Sequence, residues 1–323
     1  MSALSTSGWR SDWMHLDGDT HFVEFPPDPA PRAEAASEPA STSDVPIVLV
    51  HGLSGSYANW LAVAPRLAQT GRRVLALDLP GHGLTRPVGH DTTLPGLGLL
   101  LELFVDEVAG GRAVLVGNSL GGLLSVQLAA RRPDAVESLA LIAPALPLGR
   151  SMSHPVTVLG FTAYAVPGLG EAVVTTRRRW SAERLVDQSL WLCCADPASV
   201  PADVRAHHVE LVLRREGYRQ LEQAFLTTAR SLLRTLASPR RMAADLDRIE
   251  APVLHLHGDQ DKLVPVGAAR KLASSRQGTP GLWEYVELPG VGHVPQLEAP
   301  ERTADLILDW LATTGRRPAM IAG

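Results

Sequence analysis

The sequence predicts an α/β protein with a mostly parallel central β-sheet that is flanked by helices and carries an inserted helical cap. Strand-like and helix-like stretches alternate between residues 47 and 142, which is typical of parallel strands joined by helical crossovers. The stretch 47–50 is apolar at every position, as expected for a strand that is covered on both faces. Right-handed crossovers would bring the carboxyl ends of these strands, and the turn motifs that follow them, to one edge of the sheet.

The elements of the amino-terminal half follow from this patterning. Residues 12–25 predict two short strands around the turn Asp17-Gly18-Asp19. Residues 26–46 are rich in Pro, Ala, Ser and Glu and predict a flexible loop, because they contain too few large apolar side chains to bury a face. The elements predicted next are a strand at 47–50, a helix at 60–69, a strand at 73–77, a helix at 97–108, a strand at 113–116, a helix at 123–131 and a strand at 138–142.

The pattern changes between about residues 146 and 245, where no strand-like run is present. We interpret this segment as a helical cap, residues 147–245, inserted into an α/β core of residues 1–146 and 246–323; a separate helical domain is the alternative. The predicted cap helices cover 156–165, 182–192, 204–214 and 218–236, and the core is completed by strands at 252–257 and 283–288 and a helix at 300–311.

Composition narrows the classes of function. The formal net charge of -4 over 323 residues does not favour a nucleic-acid partner. The two cysteines, Cys193 and Cys194, are adjacent and rarely pair in that arrangement, which indicates a reducing compartment. The amino terminus lacks the pattern of a signal peptide, and no stretch is predicted to insert stably into a membrane, so we expect a cytoplasmic location.

The pattern Gly117-Asn118-Ser119-Leu120-Gly121 links a predicted buried strand to a predicted helix. So sharp a turn requires glycine at 117 and 121, because a Cβ there would collide with the neighbouring backbone. The turn would expose the Ser119 hydroxyl beside the free N–H groups of a helix start. A serine nucleophile needs this exposure and these donors, although a glycine-rich turn without a chemical role is the alternative.

A serine hydroxyl also needs a base and a third group that orients the base. An acid and a histidine follow in the order Ser119, Asp261, His293, each after a predicted strand. Asp259 competes with Asp261 as the acid, and His293 could instead be a loop histidine with a structural role. No HExxH or CxxC pattern is present, and we expect neither a metal nor another cofactor.

Four motifs resemble those of the capped α/β-hydrolase family, and the resemblance covers residues 47–311. They are His51-Gly52, Gly117-Asn118-Ser119-Leu120-Gly121, Gly258-Asp259-Gln260-Asp261-x-x-x-Pro265 and Gly292-His293.

The resemblance implies a role for each matched residue. Ser119 would be the nucleophile, His293 the general base and then the acid, and Asp261 the group that holds the imidazole. The family's spacing to the proline favours Asp261 over Asp259. The backbone N–H groups of Leu53 and Leu120 would form the oxyanion hole, and His51 would shape the turn that directs the first of them inward.

The residue types also favour some reactions over others. Relatives that open epoxides or displace halide use an aspartate where this chain has Ser119, so the resemblance implies attack on the carbonyl of an ester, thioester, lactone, activated amide or ketone. The run from Asn118 to Gly122 is similar to that of carbon–carbon bond hydrolases of aromatic ring-fission products. Those enzymes usually carry a glycine-rich run after the first His-Gly, where this chain has Leu53-Ser54, and tryptophan in place of Val294.

We therefore expect hydrolysis of carboxylic esters of small to medium hydrophobic molecules. Carbon–carbon bond hydrolysis, a ligand-binding role with low turnover, and acyl transfer are the alternatives. Phe161 and Tyr164 of the cap and Val294 next to His293 are the predicted substrate-binding residues, although the apolar cap residues could instead pack the cap against the sheet. The sequence does not predict the oligomeric state.

Overall fold

The computed structural model describes residues 8–28, 44–145, 147, 163–218, 220–276 and 282–314. Eight strands in these ranges form one sheet in the order β1-β2-β4-β3-β5-β6-β7-β8. The strands are β1 Arg10–His15, β2 Asp19–Phe25, β3 Ile47–Val50, β4 Val74–Leu77, β5 Ala113–Asn118, β6 Val136–Ile142, β7 Val253–Gly258 and β8 Trp283–Leu288.

The sheet is mostly parallel, as predicted. Of the seven strand pairings among the described residues, only β1 with β2 and β2 with β4 are antiparallel. The register pairs Val50 with Gly117 and Asn118 with Ile142, so that neighbouring strands end together. This common edge gathers the loops that carry the candidate functional residues, as expected for an open α/β sheet.

Helices cover both faces of the sheet and make up most of the segment between β6 and β7. They are α1 Ala64–Ala68, α2 Leu94–Glu107, α3 Leu120–Arg131, α4 Leu169–Arg177, α5 Ala182–Cys193, α6 Ala202–Arg214, α7 Leu221–Leu236, α8 Pro239–Asp247, α9 Val266–Ser275, α10 Pro295–Glu298 and α11 Pro300–Thr314.

Alternate residues of each central strand pack into two different apolar clusters. Val48 and Val50 face one cluster, which also contains side chains of α2, α3 and α8. Ile47 and Leu49 face the other, together with side chains of α1, α5, α6 and α11. Burial on both faces explains why these strands are apolar throughout, and it confirms that part of the sequence analysis.

The predicted helix at 60–69 is wrong as a single element. A short 3₁₀ helix covers Tyr57–Trp60, and α1 begins only at Ala64, with Pro65 in its first turn. Proline has no N–H to bond the carbonyl four residues earlier, so a continuous helix through residue 65 would lose a hydrogen bond and suffer a clash.

Two other predictions fall partly outside the described residues, namely positions 29–43 of the predicted loop and positions 156–162 of the first predicted cap helix. Between β6 and β7 the described residues contain helices and no strand, as predicted. Within the described ranges, no helix has both the length and the apolarity needed to cross a bilayer.

Candidate active site

Ser119 occupies a sharp turn between β5 and α3. Its backbone has φ 53° and ψ -114°, a combination that a non-glycine residue rarely adopts and that costs about 1–3 kcal/mol. Hydrogen bonds hold it there: its N–H donates to the Ile142 carbonyl at 3.0 Å, and its own carbonyl accepts from the N–H groups of Leu123 and Ala145 at 3.1 and 2.9 Å. The chain therefore fixes this serine at the common edge of the sheet.

The glycines around Ser119 are required by close backbone contacts, as predicted. A Cβ on Gly121 would lie 2.0 Å from the carbonyl oxygen of Val50, and a Cβ on Gly117 would lie 2.6 Å from the carbonyl oxygen of Gly121. Real Cβ atoms do not approach backbone so closely, so α3 can start directly on top of β3 only with glycine at these positions.

Asp261 and His293 are joined in the loops after β7 and β8. Nδ1 of His293 lies 2.7 Å from Oδ2 of Asp261, and both side chains are buried. Oδ1 of Asp261 accepts the N–H groups of Leu263 and Val264 at 2.7 and 2.9 Å. Burial alone would raise the pKa of Asp261, but the neighbouring imidazoles and their hydrogen bonds outweigh it and lower that pKa below its ordinary value.

A second imidazole contacts the same carboxylate. Nε2 of His257 lies 3.3 Å from Oδ2 of Asp261 and 2.8 Å from the carbonyl oxygen of Val264. The sequence analysis did not single out His257 and missed this contact. Its position at the end of β7, four residues before Asp261, was the available signal.

Asn118 links the loop of His293 to the turn of Ser119. Its Nδ2 donates to the carbonyl oxygens of Ile142 at 3.0 Å and of His293 at 3.1 Å. Of the hydrogen bonds between described residues, none joins Oγ of Ser119 to the His293 ring. Such contacts are often long without substrate and tighten in the substrate complex.

The loop after β3 approaches Ser119 from the other side. A Cβ on Gly52 would lie 3.1 Å from Cβ of Ser119. The N–H groups of Leu53 and Leu120 make no hydrogen bond to another described residue, so both are available as donors. Nδ1 of His51 lies 2.7 Å from the Gly52 carbonyl oxygen and its Nε2 accepts the N–H of Leu79 at 3.0 Å, while burial lowers the pKa of His51. These two contacts hold the imidazole of His51 against the loop, and its effect on the direction of the Leu53 N–H stays a prediction.

Comparison with known proteins identifies the family. Residues 45–300 match the family model described as the alpha/beta hydrolase fold. The chain belongs to this family.

Two relatives and one solved structure illustrate the similarity. The acetyltransferase component (dihydrolipoyllysine-residue) of the acetoin cleaving system of Pseudomonas putida is 32% identical over 82% of this chain, which spans only 63% of that relative. Monoacylglycerol lipase abhd6-A of Xenopus laevis is 27% identical over 83% of this chain and 75% of its own length. The crystal structure of Cfl2 from Burkholderia cenocepacia superposes with a TM-score of 0.73 at 23% identity, covering 96% of this chain and 98% of the other, and shows the same fold.

In this α/β-hydrolase-fold chain, Asp259 does not contact the imidazole of His293. Its Oδ1 accepts the N–H of Gly290 at 2.7 Å and so closes the turn between the loops after β7 and β8. Asp259 thus has a structural role in this turn, and Asp261, which the resemblance favoured as the acid, is the carboxylate that contacts the histidine.

The carboxyl end of α5 is attached to both loops of the Asp261–His293 pair. The carbonyl oxygen of Cys193 accepts the N–H of His293 at 2.6 Å. Nζ of Lys262 donates to the carbonyl oxygens of Trp191 and Cys194 at 2.9 and 2.8 Å. Hydrogen bonds therefore connect the end of α5, one of the helices between β6 and β7, to the candidate site.

The predicted substrate-binding residues have different surroundings. Phe161 lies outside the described residues. The half-buried Tyr164 accepts a hydrogen bond from Nη1 of Arg177 at 3.0 Å, and its ring centroid lies 5.0 Å from that of Phe225. Val294 is buried and packs in an apolar cluster of the core. A substrate contact for each of the three stays a prediction.

Proposed function

We propose that this chain is a serine hydrolase that cleaves carboxylic esters of small to medium hydrophobic molecules through an acyl-enzyme. One observation carries the proposal: the buried Asp261–His293 pair is held by Asn118 against the strained turn that carries Ser119. Membership of the alpha/beta hydrolase fold family supports a hydrolase, and the similarity to a lipase supports an ester as the substrate.

Each residue of the site would have its own role in ester hydrolysis. Oγ of Ser119 attacks the ester carbonyl while Nε2 of His293 takes its proton, and Asp261 stabilises the resulting imidazolium. The N–H groups of Leu53 and Leu120 bind the oxyanion. The imidazolium then protonates the departing alcohol, and the same histidine activates the water that releases the acid.

The inserted helices, residues 147–245, would form a cap that shapes the substrate site. The hydrogen bonds of α5 to the loops of His293 and Lys262 support this assignment. Tyr164 and Phe161 would contribute apolar surface to the site from this cap, and Val294 would contribute from the core side.

Carbon–carbon bond hydrolysis is the second candidate. This reaction requires a cation that binds the substrate carboxylate, and the described residues include a suitable one. Arg215, at the end of α6, is one such group: its Nη2 donates to the Gly81 carbonyl oxygen at 3.1 Å, and it makes no ion pair with a described residue. Burial lowers the pKa of this guanidinium, so an anionic ligand would stabilise its charged form.

Multiple-turnover hydrolysis of short-chain aryl esters tests the proposal. Ser119→Ala should lower kcat by about 10⁴-fold or more, because the nucleophile is lost. Ser125→Ala is a matched control six residues further along the chain, in α3, since the Ser125 hydroxyl only donates to the Gly121 carbonyl oxygen at 2.7 Å. Equal turnover by the wild type and Ser119→Ala would refute the proposal, and faster turnover of a ring-fission product than of any ester would favour the second candidate.

A further inference from the structure

A second serine, histidine and aspartate form a continuous hydrogen-bonded chain elsewhere in the molecule. Oγ of Ser11 lies 2.7 Å from Nε2 of His21, and Nδ1 of His21 lies 2.7 Å from Oδ2 of Asp78. Ser11 is on β1, four strands from β5 in the sheet order, so about 19 Å of sheet separates it from the turn of Ser119. This chain of hydrogen bonds is therefore distinct from the candidate active site at Ser119.

The surroundings of Asp78 select one tautomer of His21. Both side chains are fully buried. Oδ1 of Asp78 accepts the N–H of Tyr57 at 2.7 Å, and Oδ2 accepts the N–H of Leu84 at 2.8 Å. Since a carboxylate can only accept hydrogen bonds, Nδ1 of His21 is the donor to it. In the neutral ring Nε2 is then the acceptor for the Ser11 hydroxyl, which is the arrangement that a general base requires.

Ser11 is exposed, and its own N–H is free of the sheet ladder. The N–H of His21 donates to Oγ1 of Thr85, and that of Trp13, the residue opposite His21, donates to Oδ1 of Asp12. Trp13 and His21 therefore form a pair without ladder hydrogen bonds, and Ser11, two residues earlier, has the same orientation. Its N–H points to the open edge of β1, where it can stabilise an oxyanion formed at its own side chain.

A surface cavity of about 560 Å³ is lined by Trp13 and Leu84, which contact His21 and Asp78 respectively, but not by Ser11 itself. Its wall includes Trp13, which shares a face of β1 with Ser11 and whose ring centroid lies 5.0 Å from that of His21. The wall also includes Arg86, Arg214 and Tyr218, and a single acid, Asp19. Aromatic surface with a net positive charge fits an aromatic group that carries an anion.

We propose that Ser11 is a second nucleophile, which accepts an acyl group from aryl esters that bear an anionic substituent. Oγ of Ser11 attacks the ester carbonyl, and its proton passes to Nε2 of His21. The tetrahedral intermediate then expels the phenolate, which takes that proton, so that the products are an ester of Ser11 and a phenol. This reaction does not depend on Ser119 or on the function proposed above.

Labelling with an alkyl fluorophosphonate tests the nucleophile in the Ser119→Ala background. Peptide mapping should find the phosphonate on Ser11, and adding Ser11→Ala should abolish it. Adding His21→Gln should slow the labelling by about 100-fold, because the general base is lost. His207→Gln is the matched control, since the ring of His207 also binds a hydroxyl, that of Tyr57 at 2.8 Å, and should leave the rate unchanged.

Ser199 provides a comparison that needs no further substitution. It is exposed, and its hydroxyl donates to a backbone carbonyl rather than to a histidine. Faster labelling of Ser11 than of Ser199 within one protein is expected. Labelling of Ser11 no faster than that of Ser199, or an equal rate in a folded His21→Gln variant, would overturn the proposal.

The substrate class is tested with two acetyl esters in the same background. Acetylation of Ser11, followed by mass spectrometry, should be faster with 4-acetoxybenzoate than with phenyl acetate, and Arg214→Ala should remove the difference. Equal rates with both esters in the protein that retains Arg214 would overturn the assignment of an anionic substrate.

Discussion

Replacing Asn118 with alanine tests how the His293 loop is held. The substitution removes two buried hydrogen bonds, to the carbonyl oxygens of Ile142 and His293. Each such bond contributes about 1 kcal/mol net. The carbonyl of His293 is also left without a partner among the described residues, which adds a desolvation cost, whereas that of Ile142 keeps the N–H of Ser119, so the free energy of unfolding should fall by about 2–4 kcal/mol. Loss of the second bond also frees the backbone of His293 beside Ser119, and small misplacements of a catalytic group cost about 100-fold in rate.

Urea unfolding and aryl-ester kinetics on the same protein separate the two effects. Asn118→Ala should lose both stability and kcat. Ser125→Ala, which removes one buried hydrogen bond from α3 without touching the His293 loop, should lose about 1 kcal/mol of stability and keep its kcat. An Asn118→Ala variant with wild-type kcat would refute the view that this amide positions the histidine.

Three further predictions concern other parts of the site. Asp261→Asn should lower kcat by about 10⁴-fold, whereas Asp259→Asn should keep most of it, and steady-state kinetics of the pair would expose a wrong assignment of the acid. Gly52→Ala should lower kcat clearly but the urea unfolding midpoint only slightly, because the new Cβ would lie 3.1 Å from Cβ of Ser119. Steady-state kinetics and urea unfolding of the same variant check this. Burial lowers the pKa of His82 from its ordinary value to about 3. The unfolded chain therefore binds a proton that the native state excludes, so stability should fall by up to about 1.4 kcal/mol per pH unit for this group as pH decreases from about 6 to 4. His82→Gln should flatten that dependence in unfolding measured across this pH range, and an unchanged slope would contradict it.

Local sequence was sufficient for much of the fold. The run at 47–50 predicted a strand because burial on both faces leaves no place for a polar side chain, and β3 has these bounds. Gly117 and Gly121 were predictable because so sharp a turn brings backbone against backbone, within the turn at Gly117 and against Val50 of β3 at Gly121. Where local patterning failed, as at 60–69, a single proline outweighed the helical pattern around it.

The contacts of His257 show what local patterning misses. On the strand it reads as one of two alternating histidines, His255 and His257, and only the loop after β7 brings Asp261 back to 3.3 Å from its Nε2. The attachment of α5 to His293 is similar, because it joins residues 100 positions apart through a backbone carbonyl that has no sequence signature.

By itself, then, the sequence determined the alternation of strands and helices, the sharp turn at Ser119 and the order of the candidate catalytic residues, because these depend on neighbours in the chain and on sterics that act over a few residues. Only the tertiary structure decided that a second imidazole, that of His257, meets Asp261, and that Ser11, His21 and Asp78 form a second chain of hydrogen bonds. Those contacts depend on which strands become neighbours and in which register, and many different sheet orders are compatible with the same local patterns.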